Sequence, residues 1–227
     1  MTPLRALGRS EIRIHPIVLG TFALGGWWWG PQSRSEAIEA IQSHLDHGAN
    51  GIDTAPIYGF GEAEEIVGEA IRGRREQAVI MTKTGLRWDG HGTPFFPAKH
   101  RGKRLQVCFD STPQRVRDEC EQSLKRLGVD CIDLLQVHWP DPSTPISDTM
   151  GEMLRLKEEG KIRAIGVSNY STEQLEEAQQ ALGDIALAST QPRYSLLHRK
   201  IESDILPYCR DQHIGIVSYR PMEQGLL

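Results

Sequence analysis

Cysteine, basic charge and long apolar runs are all in short supply in this 227-residue sequence, and each shortage excludes something. The four cysteines (Cys108, Cys120, Cys131, Cys209) form no Cys-x-x-Cys pair and show no metal-ligand spacing. A disulfide framework and a metal centre are therefore not expected, and the four read as reduced, mostly buried thiols. Lys and Arg number 26 against 30 Asp and Glu, a net charge of -4, so no basic excess exists to neutralise nucleic-acid phosphates. No apolar stretch approaches the length of a membrane span, and residues 1–20 lack the basic-then-apolar layout of a signal peptide. The expectation is a cytoplasmic protein with neither nucleic acid nor membrane as partner. Low-complexity segments and Ser/Gly linkers are missing too. With 39% hydrophobic and 25% charged residues, the chain reads as a single domain over 1–227.

What is present is alternation. Residues 4–7 and 12–16, around Gly8-Arg9-Ser10, predict a small N-terminal hairpin. Short apolar runs then predict seven strands, near 16–20, 50–54, 78–82, 131–137, 164–167, 185–190 and 214–218. Amphipathic helices fall between them. Ser33 with Glu36 and Ser171 with Gln174 read as capping boxes, and Gly48, Gly73, Gly128, Gly160 and Gly183 read as stops. A long loop is expected over 84–112, and a helix over 200–211 that Pro207 should kink or shorten.

Strands alternating with helices imply parallel pairing through right-handed crossovers. An open doubly wound sheet would place Gly-x-Gly-x-x-Gly after its first strand, and Gly20-Thr21-Phe22-Ala23-Leu24-Gly25-Gly26 does not supply it. A (β/α)8 TIM barrel, with chemistry drawn from many strand ends, explains the pattern better. Asp53, Lys83, His138, Asn169, Gln191 and Tyr219 all stand at such ends. Taken singly, Asp53 reads as a cap and Tyr58 as a core aromatic; together with Lys83 and His138 they form a proton-transfer apparatus. A free phenol has a pKa of about 10, too high for a good acid near neutrality. An ammonium beside it would lower that value, and a carboxylate would hold the ammonium charged. His138 would hydrogen-bond a carbonyl oxygen. The competing reading is a buried Asp–Lys pair beside an unrelated Tyr and His.

The residues Gly51-Ile52-Asp53-Thr54-Ala55 with Tyr58-Gly59, then Thr82-Lys83, Leu134-Leu135-Gln136-Val137-His138-Trp139-Pro140 and Ile165-Gly166-Val167-Ser168-Asn169-Tyr170, stand in the order of known signatures. From residue 4 to 227 the sequence resembles the aldo-keto reductase family. The resemblance implies reduction of an aldehyde or ketone to an alcohol, with Tyr58 as general acid, Lys83 and Asp53 tuning it, and His138 orienting the carbonyl. The implied cofactor is NADPH, with NADH possible, lying across the barrel mouth. By the same resemblance, Asp53 and the Gly20-Thr21-Phe22 turn lie near the nicotinamide ribose. Ser168, Asn169 and Gln191 match carboxamide-binding positions, and Tyr219 matches the aromatic stacked on the nicotinamide. Arg220, Pro221, Met222, Gln224, Gly225 and Leu226 match the loop along the pyrophosphate. Arg220 departs from the small residue usual there.

Loop tryptophans suggest an apolar-walled pocket for a small carbonyl substrate, with Trp28, Trp88 and Trp139 its candidate walls. The basic run 99–104 reads as a solvated loop. Two other functions stay open: a non-catalytic NADP(H)-binding regulatory subunit of the same fold, and a Schiff-base lyase using Lys83. Finally, seven strands fall one short of eight. The sequence therefore predicts an incomplete barrel, truncated before the last strand and helices, and the resemblance implies that the 2′-phosphate site lies beyond residue 227. Substrate identity and oligomeric state have no sequence signal.

Overall fold

The computed structural model describes residues 2–26, 29–30 and 32–227. The chain opens with an antiparallel hairpin, β1 (Arg5–Ala6) and β2 (Arg13–Ile14). Strand β3 (Val18–Gly20) leads to α1 (Arg34–Asp46), β4 (Gly51–Asp53), α2 (Glu62–Ala70) and β5 (Val79–Thr84). A three-stranded antiparallel sheet of β6 (Leu86–Arg87), β7 (Thr93–His100) and β8 (Lys103–Phe109) follows. The alternation then resumes with α3 (Pro113–Leu127), β9 (Ile132–Val137), α4 (Ile146–Glu158), β10 (Ile162–Ser168), α5 (Thr172–Leu182), β11 (Leu187–Gln191), α6 (Ile205–Gln212) and β12 (Gly215–Ile216).

The main sheet has seven parallel strands in the order β3-β4-β5-β9-β10-β11-β12, which is chain order. Sequential parallel strands joined by helical crossovers are the barrel arrangement and not the doubly wound one, whose strand order reverses at a switch point. Two separate cores confirm the curl. Outward residues such as Ile52, Ile80, Leu135 and Ile165 pack with the helices. Inward residues Val79, Met81, Leu134, Ala164 and Ala188 pack instead with Leu7, Ile12 and Ile14 of the hairpin, which plugs the floor of the barrel. Gly8 makes this plug possible: its φ is +58°, and a Cβ there would stand 2.4 Å from the Ala188 carbonyl oxygen. The opposite end, where the strands point their C-termini, stays clear for chemistry.

Several expectations are corrected here. The stretch 84–112 is no simple loop but carries β6, β7 and β8. Pro94 and Pro97 read as breakers in sequence, yet β7 lies at the edge of its sheet, where a missing N–H costs no ladder bond. The helix expected over 200–211 divides into a 3-10 turn, Lys200–Ser203, and α6. Pro207 sits in the first turn of α6, where backbone N–H groups have no intrahelical acceptor, so it neither kinks nor shortens the helix. The last strand is only Gly215–Ile216. Ser33 accepts from the Glu36 N–H without a reciprocal bond, whereas Ser171 and Gln174 form the complete capping box. No helix among the described residues is long and apolar enough to cross a membrane.

Candidate active site

Strand alternation on β5 turns Lys83 inward, at the layer just above Met81. Its ammonium is fully buried and has three donors and three acceptors: Asp53 Oδ2 at 2.7 Å, the Thr54 carbonyl at 2.9 Å and the Tyr58 hydroxyl at 3.1 Å. The other oxygen of Asp53 accepts from Gln191 Nε2 at 2.9 Å and from Gln136 Nε2 at 3.4 Å. Every charge of this buried pair is therefore answered, which is the condition for such a pair to survive burial.

Tyr58 is placed by glycines. It opens a short 3-10 turn in which Gly59 and Phe60 both take left-handed backbone angles. The Gly59 backbone lies directly against Gly25, and a Cβ on Gly59 would come within 2.5 Å of the Gly25 carbonyl oxygen. This close approach brings Phe22, from the loop after β3, edge-on to the Tyr58 ring at 5.1 Å. His138 follows β9 and meets the other side of Tyr58, with ring centroids 6.0 Å apart.

The electrostatics divide the labour. Burial pushes the Tyr58 phenol above its ordinary value; the Lys83 charge offsets part of the rise and Asp53 adds to it. Lys83 acts on this phenol in the direction the sequence predicts, downward, and burial outweighs it. Burial also opposes the Lys83 charge, but Asp53 and Tyr58 more than compensate and raise its pKa. Burial, followed by the Lys83 charge, holds His138 well below its ordinary value, so the imidazole is neutral. The result is a protonated phenol, a charged ammonium and a neutral imidazole side by side.

These groups floor a cavity of about 560 Å³. Asp53, Tyr58 and His138 share its lining with Gly20, Phe22, Trp139, Ser168, Asn169, Gln191, Tyr219, Arg220 and Pro221. The missing side chain of Gly20 leaves open space beside Asp53. Asn169, with φ at +61°, donates to the His138 carbonyl at 3.0 Å and accepts from the Tyr219 hydroxyl at 2.9 Å. Ser168 donates to the Gln191 carbonyl at 2.7 Å. Amide groups, a flat phenol ring and the Arg220 guanidinium thus lie along one cavity, with the Arg193–Glu223 ion pair at its edge, a polar set that fits a nicotinamide joined to phosphates.

Other expected residues lie elsewhere. Thr21 is fully buried behind the lining, its backbone N–H bonded to the Asp53 carbonyl. Met222, Gln224, Gly225 and Leu226 stand outside this cavity, and Met222 and Leu226 are exposed. Trp88 does not line it either, packing edge-on against Phe60 at 5.2 Å. Trp28 lies outside the described residues. Sequence reasoning missed three participants. The Thr54 carbonyl gave no signal. Gln136 did, as a polar residue inside an apolar strand. Arg193, just past the end of β11, holds Glu223 in a bidentate pair at the cavity edge.

Comparison with known proteins agrees with this geometry. The aldo/keto reductase family model matches residues 16–227. The chain is 44% identical over 224 residues to aldo-keto reductase YhdN of Bacillus subtilis, covering 98% of this chain and 62% of that protein. It is 40% identical over 227 residues to the NADH-specific methylglyoxal reductase of Escherichia coli, covering 97% of this chain and 68% of that one. An aldo-keto reductase structure from Klebsiella pneumoniae in complex with NADPH superposes with a TM-score of 0.77 at 32% identity, covering 99% of this chain and 70% of that one. The chain thus spans somewhat under two thirds of the length of its Bacillus relative. With the signatures, the barrel order and the matched length all in agreement, the chain belongs to the aldo/keto reductase family.

Proposed function

We propose that these residues carry the reducing centre of an NAD(P)H-dependent oxidoreductase, acting as one domain on a small aldehyde or ketone. One observation carries the reading: Lys83 bridges Asp53 and Tyr58 beside a neutral His138, at the floor of a cavity lined by amides and arginines. Ser168, Asn169, Tyr219 and Arg220 would hold the cofactor, which when bound supplies hydride to the carbonyl carbon. The neutral His138 hydrogen-bonds the carbonyl oxygen and sets its direction. As negative charge gathers on that oxygen, the protonated Tyr58 gives up its proton. Lys83 stabilises the phenolate left behind, and Asp53 keeps Lys83 charged through the exchange. Solvent at the cavity mouth then returns a proton to Tyr58. Trp139, which lines the cavity and is backed by Phe95 at 5.3 Å, forms an apolar wall for the substrate.

The relatives differ in cofactor, one named NADH-specific and another solved with NADPH, so both belong in the test. Following nicotinamide absorbance with a panel of small aldehydes and ketones, for each cofactor, should show carbonyl-dependent oxidation. Cofactor binding without turnover on any carbonyl would support the non-catalytic alternative instead.

A further inference from the structure

We propose that Glu64 and Glu119, two carboxylates buried on the outer face of the barrel, are positioning residues for Lys83, acting through Thr82 and Thr84. The clamp rests on the functional reading only in naming Tyr58 as the group that Lys83 serves.

The geometry follows from β5. Alternation that points Lys83 into the barrel must point its two neighbours outward. Both neighbours are threonines, and each hydroxyl donates to a buried carboxylate on a different helix. Thr82 Oγ1 donates to Glu64 Oε1 of α2 at 2.6 Å. Thr84 Oγ1 donates to Glu119 Oε2 of α3 at 2.9 Å. Glu119 Oε2 also accepts the Gly85 N–H at 2.8 Å, so it holds the end of the strand by side chain and backbone together. Neither carboxylate is more than 1% exposed, and each has its own guanidinium: Arg126 Nε on Glu64 at 2.6 Å, Arg115 Nη2 on Glu119 at 2.9 Å.

Such an arrangement is expensive for mere helix docking. Packed apolar residues of similar volume hold elements together as well as a buried ion pair or better. The same strand uses Ile80 in that way two residues earlier, against the outer core. Carboxylate acceptors instead give direction: a hydrogen bond holds its hydroxyl at a set distance and angle, where an apolar contact lets it slide. Burial raises the Glu119 carboxyl pKa, and Arg115, the Gly85 N–H and the Thr84 hydroxyl oppose that rise. Two such bonds, on either side of residue 83 and on the face opposite its side chain, fix the height and twist of the backbone from which the lysine projects. The clamp also reaches His138, because the Thr84 carbonyl accepts the His138 N–H at 2.9 Å. One carboxylate outside the barrel therefore steadies two of the groups around the reacting carbonyl.

The test compares Thr84→Val, Thr84→Ser and Thr82→Val in the 227-residue chain. Valine keeps the shape and removes the donor; serine keeps the donor. Two readouts are taken besides stability: kcat with KM for carbonyl reduction, and the ultraviolet titration of Tyr58, isolated by difference from Tyr58→Phe. With the lysine loosened, kcat should fall about ten-fold with little change in KM, since small misplacements of reacting groups are costly. The Tyr58 titration should move upward, and Thr84→Ser should restore both. Thr82→Val should act in the same direction and reads the clamp from the Glu64 side if Thr84→Val does not fold. An unchanged kcat and titration in valine variants that are merely less stable would overturn the proposal. So would Thr84→Ser behaving like Thr84→Val. If the unmodified chain reduces no carbonyl, the functional reading fails alone, and the Tyr58 titration still decides the clamp.

Discussion

Lys83 donates to the Tyr58 hydroxyl across 3.1 Å while its ammonium stands 4.8 Å from the centre of the same ring. One cation thus faces both the oxygen and the π-system of the phenol it serves. Burial alone would make that phenol a poor acid, and burial is the largest influence on it. In the proposed mechanism the lysine is what makes the phenolate tolerable when a proton leaves.

Tyr58→Phe removes the proton and little else, since the ring and its contact with Phe22 remain. Carbonyl reduction should fall by about 10²–10⁴-fold, the usual worth of general acid catalysis. Cofactor affinity, measured by nicotinamide fluorescence, should stay within a few-fold. A loss of activity below about ten-fold would remove Tyr58 from the mechanism.

Lys83→Met strips Asp53 of the partner on its Oδ2 while leaving the Gln191 bond to Oδ1. Breaking a buried pair on one side costs about 3–5 kcal/mol, because a carboxylate is left buried and unpaired. Urea denaturation should show a loss of that order, and adding Asp53→Asn should recover part of it. Any residual alcohol oxidation should shift to higher pH. A double variant no more stable than Lys83→Met would show that the unpaired charge is not the cause.

His138 links stability to pH. Its pKa in the folded chain lies well below the ordinary 6.5, because burial and Lys83 disfavour the charged ring. The unfolded chain therefore binds the extra proton first as pH falls below about 6.5. The stability this group contributes is full above that value and declines below it. His44, also lowered by burial, contributes in the same direction. Denaturant midpoints at pH 7.5 and pH 5 should differ less in His138→Gln than in the unmodified chain, and an equal difference would contradict the assignment.

Gly8→Val tests the floor of the barrel. The left-handed backbone at Gly8 costs an L-residue roughly 1–2 kcal/mol. The added side chain also meets the Ala188 and His213 carbonyl oxygens and the Gly215 amide nitrogen within 3 Å. The hairpin must then lift from Val79, Met81 and Leu134. Stability should fall by at least about 2 kcal/mol in urea denaturation, while Gly73→Val, at a position with open space around it, should cost less.

The barrel order was legible because it is written in periodicity: apolar runs of strand length, helices with one greasy face, and Gly stops between them. Asp53, Lys83 and His138 of the proposed centre were legible because barrel strands deliver their C-terminal residues to a common mouth, so position along the chain already implies convergence. Tyr58, in the turn after β4, was legible by its place in the signature that begins at Gly51. The antiparallel sheet of β6, β7 and β8 was not. Pro94, Pro97, Gly90, Gly92 and Gly102 break its pattern, and whether a proline sits at an edge or in the middle of a sheet depends on which strand pairs beside it.

The sequence by itself determined which side chains could do the chemistry, since local patterning fixes where strands end and which residues they end on. The tertiary structure decided what each one does there. Gln191 holds Asp53 because β11 curls round to face β4, a relation across 138 positions that no local pattern encodes. Tyr58 keeps its proton because burial outweighs the Lys83 charge that pulls its pKa down, and that balance of burial against charge exists only once distant segments have packed around the ring.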